Sequence, residues 1–130
     1  MSATSPDDLF ELAHAVAVKA YAPHSHYHVG CALRTAKGHT FTGCNVENAS
    51  YGLTICAERN AIFHAVAEEG PSMRIATLAV VCLGHEFPPC GACRQVIAEF
   101  ATADTVVWFL SNKKPFSMSI AELLPAGFAI

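Results

Sequence analysis

Basic charge is scarce in this chain of 130 residues, which carries 8 Lys and Arg against 11 Asp and Glu, a net charge of −3. A protein that grips a nucleic acid backbone needs a basic surplus, so a polynucleotide partner is not expected. Long apolar runs are also missing, since the longest, 75–83, is about half of what a spanning helix requires. The first residues contain no basic stretch followed by an apolar one, as a secretion signal would. We therefore expect a cytoplasmic protein without membrane contact.

The composition excludes a disordered chain, because 52% of the residues are apolar and only 15% are charged. The length fits one domain, and we assign residues 1–130 to it. A mean hydropathy of +0.33 suits a large core or an oligomer interface, and it does not choose between them.

Apolar spacing and turn residues predict helices alternating with strands. Ser5 is a predicted N-cap with Pro6 at the first helical position, and the helix continues past Leu9 to Ala20, before Pro23. The other predicted elements are strands at 29–35, 39–46, 74–83, 105–110 and 115–118, and helices at 56–69, from 89 to about 100, and at 120–124. This order predicts an α/β fold, a three-layer α/β/α sandwich around a mixed sheet of about five strands.

Three cysteines carry the clearest chemical pattern. Cys56 lies at the start of one predicted helix, and Cys90 and Cys93 form a C-x-x-C at the start of another. Helix N-termini favour the thiolate, which is the form that binds metals. Three thiolates leave one tetrahedral position open on a zinc ion, the arrangement of a catalytic site, and thiolate ligands favour zinc over iron.

Charged side chains flank these cysteines. Glu58 follows Cys56 by two residues, an offset that suits a proton shuttle beside the metal better than a ligand. Three thiolates leave a zinc site with a formal charge of −1. We expect Arg59 and Arg94 to offset it by donating to sulfur.

Other interpretations of these residue types remain. A lone C-x-x-C also occurs in structural zinc sites and in redox pairs. Cys31, Cys44 and Cys82 fall on strands and are expected to be small buried residues. Three alternating histidines, at 24, 26 and 28, favour a solvated loop over a metal site.

Three segments together resemble the small homotetrameric cytidine deaminases: 43–52 (GCNVENASYG), 56–59 (CAER) and 89–95 (PCGACRQ). The zinc deaminase signature is His or Cys, a Glu two residues later, and then P-C-x-x-C. The C-terminal stretch 123–128 is similar to that family's ending, so the resemblance covers about 9–128. It implies one zinc ion per subunit and hydrolysis of free cytidine and deoxycytidine to uridine, deoxyuridine and ammonia, a reaction of pyrimidine salvage.

The resemblance also implies roles for residues that no pattern singles out alone. Asn45 and Glu47 would hold the ribose hydroxyls, and the backbone at Ala57 and Cys90 would read the pyrimidine. Tyr27 and Phe128 would flank the base, and Tyr51 would reach a neighbouring subunit's site. Sites shared in this way imply a homotetramer, with Phe128 supplied by another subunit.

Some positions depart from the family pattern and leave the exact substrate open. Tyr27 stands where Phe is usual, Pro88 replaces a Ser, and the histidines at 24, 26 and 28 are unusual. A modified cytidine or an aminonucleoside such as blasticidin S therefore remains an alternative substrate. A non-catalytic zinc protein that binds nucleosides is a further alternative, although it would not need Glu58.

Overall fold

The computed structural model describes residues 6–128, in which helices alternate with the strands of one sheet. The helices are α1 (Pro6–Ala17), α2 (Ala57–Glu69), α3 (Gly91–Phe100) and α4 (Ile120–Leu123). The strands are β1 (Val29–Thr35), β2 (Thr40–Cys44), β3 (Ile75–Cys82), β4 (Ala101–Ser111) and β5 (Lys114–Ser119). A short 3₁₀ turn covers Tyr51–Leu53.

The sheet is mixed, with the strand order β2-β1-β3-β4-β5. β1 pairs antiparallel with both β2 and β3, and β5 pairs antiparallel with β4. β3 and β4 run parallel, and α3 is the crossover between them. The predicted mixed sheet of about five strands is confirmed.

Helices cover both faces of the sheet, which gives the predicted three layers. On one face, the buried side chains of Leu9 and Ala13 in α1 pack with Ala32 and Ala79 of the central strands. On the other face, α2, α3 and α4 enclose the larger core, whose buried members include Ile62, Leu78, Ile97, Val107 and Leu123. Burial of these apolar side chains is the main stabilisation of the layers.

Two element boundaries differ from the predicted ones by three residues or more, and the others agree within two residues. The first helix ends at Ala17, three residues before the apolar pattern stops, and its predicted N-cap, Ser5, lies outside the described residues. β4 begins at Ala101 instead of residue 105, because Ala101 already pairs with Ile75 of β3. The register then shifts, and the next pair is Thr77 with Val106. The intervening residues are mostly exposed and polar, so apolar patterning does not reveal this irregular start.

The topology brings the key loops to one end of the sheet. β2 and β3 are parallel to each other, since both are antiparallel to β1, and each is followed by a helix on the same face. The N-termini of α2 and α3 therefore begin at the same end of the sheet. The start of β1 lies there too, because Val29 pairs with Cys82.

Among residues 6–128, no helix is both long enough and apolar enough to cross a lipid bilayer.

Gly43 of β2 allows α2 to lie directly against the sheet. A Cβ at this position would stand 2.4 Å from the backbone nitrogen of Ala61 and 2.8 Å from the carbonyl oxygen of Ala57. We expect Gly43→Ala to lower the free energy of unfolding by about 2 kcal/mol, the usual cost of overpacking a core. Guanidinium denaturation of the zinc-loaded protein measures this. Gly52→Ala, where an added Cβ meets nothing within 4 Å, is the matched control, and an equal loss there would contradict the steric explanation.

Candidate active site

Three cysteine sulfurs converge where α2 and α3 begin. The Sγ atoms of Cys56, Cys90 and Cys93 all lie within 4.8 Å of one another, and those of Cys56 and Cys90 are 4.0 Å apart. Tetrahedral ligands at a Zn–S distance of 2.3 Å would be about 3.8 Å apart, so small side-chain shifts suffice to bind the ion. Within residues 6–128, this is the one group of three or more His, Cys, Asp or Glu side chains close enough to hold a metal. The donor set fits zinc.

The local electrostatics favour thiolate at the first of these cysteines. A hydrogen bond from Cys93, followed by the hydrogen bond and charge of Arg59, lowers the pKa of Cys56 to about 5. The pKa of Cys93 is raised because its thiol takes part in that hydrogen bond and is largely removed from water. Arg59 donates from Nη2 to the Cys56 sulfur over 3.3 Å. The arginine therefore lies where it can offset the negative charge of the ligands.

Cys90 is also the N-cap of α3. Its sulfur accepts a hydrogen bond from the backbone N–H of Cys93 over 3.4 Å. The same local geometry that begins the helix therefore aims the Cys90 sulfur toward the metal position.

Glu58 lies in the first turn of α2, buried beside the cysteines. Loss of solvation raises the pKa of its carboxyl to about 7, because burial disfavours the charged form. A carboxyl group with a pKa near neutrality is suited both to accept and to donate a proton.

A cavity of about 220 Å³ opens next to Glu58. Its lining comprises Tyr27, Val29, Asn45, Glu47, Thr54, Cys56, Ala57, Glu58, Phe87, Pro88 and Cys90. The structure therefore brings two predicted metal ligands and the buried carboxyl group to one pocket. Apart from Cys90, which is also a predicted ligand, four of the six predicted substrate-binding residues line it as well. Val29 and Thr54 line it too, and sequence reasoning missed them because neither residue carries a chemical signature.

The polar end of the cavity is tied to the loop before β1. Asn45 donates from Nδ2 to the carbonyl oxygen of Tyr27 over 2.8 Å, and its Oδ1 accepts from the N–H of Val29 over 2.9 Å. Glu47 Oε1 accepts from the N–H groups of His24 and Ser25, at 2.9 and 3.1 Å. Glu47 Oε2 accepts from the Ser25 hydroxyl. The hydrogen bond from Ser25 is the main reason that the pKa of Glu47 is held below its usual range.

Aromatic rings also line the cavity. The ring of Tyr27 meets His85 edge-on at 4.8 Å between centroids and an interplanar angle of 90°. It meets Phe87 at 6.0 Å and 83°. The loop before Pro88, which departs from the family pattern, therefore packs directly on Tyr27 and shapes the rim of the pocket.

Two of the predicted substrate-binding residues lie outside this cavity. Tyr51 and Phe128 are 77% and 71% exposed. Tyr51 lines a separate, shallow cavity beside His24 and Glu47. Both rings are therefore exposed on the single chain, and neither lines the cavity beside Glu58.

Arg94 has different partners from the predicted ones. Its Nε donates to the carbonyl oxygen of Pro89 over 2.8 Å, and its Nη1 donates to that of Leu123 over 2.9 Å. These bonds join the loop before Cys90 to the C-terminal helix, so Arg94 holds the ligand loop through the backbone and not through sulfur. The Leu123 carbonyl is 29 residues away in sequence, which explains why local spacing did not indicate it.

The other cysteines behave as predicted for small residues of the sheet. Cys31 and Cys82 are buried, Cys44 is partly buried, and none forms a disulfide. Burial raises the pKa values of Cys31 and Cys82, which keeps both as neutral thiols.

Comparison with known proteins gives a family match over most of the chain. Residues 3–109 match the family model described as the cytidine and deoxycytidylate deaminase zinc-binding region. A cytidine deaminase of Halalkalibacterium halodurans is 46% identical over 110 residues, covering 84% of this chain and 83% of that protein. A probable cytidine deaminase of Dictyostelium discoideum is 44% identical over 110 residues, covering 85% of this chain and 74% of that protein.

Solved structures show the same similarity. The cytidine deaminase of Burkholderia pseudomallei superposes with a TM-score of 0.85 at 45% identity, covering 94% of this chain and 98% of that chain. The cytidine deaminase of Mycobacterium tuberculosis superposes with a TM-score of 0.84 at 35% identity, covering 97% and 98%.

The contact between Arg59 and Cys56 gives a prediction about metal retention. Arg59→Gln removes the positive charge beside the thiolate, and we expect about tenfold weaker zinc binding, as is usual for side chains that support metal ligands. Competition with a chromogenic chelator measures the affinity. Arg74→Gln, at an exposed arginine that donates to backbone carbonyls of its own turn, is the control. Unchanged zinc affinity in Arg59→Gln would show that the contact between Arg59 and Cys56 does not contribute to zinc binding.

Proposed function

The chain belongs to the family of zinc-dependent cytidine and deoxycytidylate deaminases, and from that membership we propose that it deaminates free cytidine and deoxycytidine by hydrolysis. Water supplies the new oxygen at C4 of the base, the C4–N bond breaks, and uridine or deoxyuridine and ammonia leave. One observation carries the assignment. A buried carboxyl group with a near-neutral pKa lies beside three convergent cysteine sulfurs and lines a cavity of about 220 Å³ that Asn45 and Glu47 also line.

Cys56, Cys90 and Cys93 would hold the ion. Zinc in such a site supplies charge stabilisation and an activated water at neutral pH. Glu58 takes a proton from the attacking water and delivers it to the ring nitrogen next to C4. It then takes the second proton of that water from the new C4 hydroxyl and delivers it to the departing amine, so that the C4–N bond breaks, the C4 carbonyl forms and ammonia leaves. Its burial suits this work, since the carboxyl changes protonation state readily near pH 7.

The remaining lining residues position the nucleoside. Asn45 and Glu47 hold the sugar hydroxyls, since each lines the cavity and keeps hydrogen-bonding capacity beyond its contacts with the loop. The backbone at Ala57 and Cys90 reads the edge of the pyrimidine. Tyr27 lies against one face of the base.

A shifted substrate is not favoured. The relatives at up to 46% identity are named cytidine deaminases, and both predicted sugar-binding side chains line the cavity. A non-catalytic zinc protein is disfavoured as well. A structural metal site has no need of a buried carboxyl group that faces an open cavity.

We also infer a homotetramer with shared sites, acting in pyrimidine salvage in the cytoplasm. Large apolar side chains stay exposed on the single chain, including Tyr51, Leu53, Phe63 and Phe128. Exposed apolar surface of this kind is typical of an interface between proteins. Phe128 would then complete the pocket of another subunit.

The proton shuttle gives the first test. We expect the zinc-loaded protein to release ammonia from cytidine and deoxycytidine, and Glu58→Gln to retain zinc while losing about a thousandfold in turnover number, since a missing general acid and base costs this much. Ammonia release and the loss of cytosine absorbance are measured together, for wild type and variant, on cytidine, deoxycytidine, cytosine and blasticidin S. Glu99→Gln, on the exposed side of α3, is the matched control. Strong activity in Glu58→Gln, or turnover of blasticidin S alone, would refute the assignment.

Shared sites give a test by subunit mixing. Phe128→Ala should lower kcat/KM by about tenfold, the worth of a buried aromatic contact. Co-expression of Phe128→Ala with Glu58→Gln should restore activity, because a Phe128→Ala subunit keeps Glu58 and receives Phe128 from its neighbour. Light scattering should give the mass of four chains of 13.8 kDa. Mixtures no more active than the Phe128→Ala protein would place Phe128 in the pocket of its own chain.

A further inference from the structure

Ser25 has no role in the mechanism so far, yet its side chain joins two residues that line the pocket, Glu47 and Tyr27. Its hydroxyl donates to Glu47 Oε2 and accepts from the backbone N–H of Tyr27 over 3.0 Å. One small side chain thus connects the carboxylate at the sugar end with the residue whose ring faces the base.

The hydrogen bonds to Glu47 leave little of its capacity unused. Each carboxylate oxygen offers about two acceptor positions. Oε1 already accepts from the N–H groups of His24 and Ser25. Oε2 accepts from the Ser25 hydroxyl, which leaves one position on that oxygen. With respect to residues 6–128, the carboxylate therefore has a single free acceptor position, on the same oxygen that Ser25 contacts.

The backbone around this carboxylate is held independently of the Ser25 side chain. Glu47 donates its N–H to the carbonyl oxygen of Tyr21 over 2.9 Å, and Tyr21 donates its own to that of Asn45 over 3.0 Å. The Asn45 side chain fixes the carbonyl of Tyr27. Removal of the Ser25 hydroxyl therefore leaves these backbone contacts in place. It removes one of the three hydrogen bonds that orient the carboxylate, and it takes the acceptor from the Tyr27 N–H.

We propose that Ser25 is a positioning residue for sugar recognition, which aims the free acceptor position of Glu47 Oε2 at a ribose hydroxyl and links it to Tyr27. This role rests on the proposed function, in which Glu47 binds the sugar. The same hydrogen bond lowers the pKa of Glu47, so the carboxylate stays ionised and acts as an acceptor toward the sugar.

The test compares substrates with and without the sugar hydroxyl. We expect Ser25→Ala to lower kcat/KM for cytidine by about tenfold, in line with one hydrogen bond to a charged group. The loss should appear in KM, since binding is weakened equally before and during the reaction. For 2′,3′-dideoxycytidine, assayed both as a substrate and as a competitive inhibitor, the variant should match the wild type. Ser25→Thr, which keeps a hydroxyl, should restore most of the cytidine activity.

Controls separate this role from a structural one. Zinc content and the denaturation midpoint of Ser25→Ala should match those of Ser72→Ala, at an exposed serine in the turn before β3. Equal losses on cytidine and dideoxycytidine, a loss confined to kcat, or no loss on cytidine would each overturn the proposal.

A Glu47→Ala variant distinguishes failure of this inference from failure of the proposed function. Glu47→Ala could lose activity on cytidine and keep it on dideoxycytidine, while Ser25→Ala shows no difference between the two nucleosides. That result would refute the role of Ser25 alone. Equal losses on both nucleosides in Glu47→Ala would refute the sugar-binding role of Glu47 and the inference that rests on it.

Discussion

The meeting of two helix N-termini at one end of the sheet is the constraint on which the site depends. α2 and α3 begin at the same end because β2 and β3, the strands before them, run parallel on either side of β1. The first residue of each helix is preceded by a cysteine, so the turn that starts the helix also presents the sulfur. The close packing of α2 against β2 then sets how deeply Glu58 is buried.

The pocket contains two carboxyl groups whose environments act in opposite directions. Glu58 is surrounded by protein and has few compensating partners, so its pKa rises toward neutrality. Glu47 receives three hydrogen bonds from one short loop, so its pKa falls. In the proposed mechanism these two similar side chains have different roles: Glu58 moves protons, and Glu47 stays ionised and binds hydroxyl groups. The difference in pKa comes from the surroundings of the two side chains and not from their residue type.

Much of this arrangement follows from local sequence, and the rest depends on distant contacts. Spacing and position at a helix start were enough to predict the metal ligands and the carboxyl group beside them, which are Cys56, Cys90, Cys93 and Glu58. The fold class follows from the order of apolar segments. Local reasoning did not indicate the backbone partners of Arg94, since these acceptors belong to the loop before Cys90 and to a remote helix. The lining role of Thr54 likewise emerges only when the strands assemble.

The all-sulfur character of the metal centre links its occupancy to the redox state of the surroundings. Without an ion, a thiolate with a pKa of about 5 lies 4.0 Å from a second cysteine sulfur. Low-pKa thiolates near another thiol are the cysteines most readily oxidised to disulfides. Bound zinc therefore protects these side chains as well as using them, and soft ions that favour sulfur compete for the same three donors. Preparations depleted of metal in air would lose the site by covalent change, which adding zinc afterwards does not reverse.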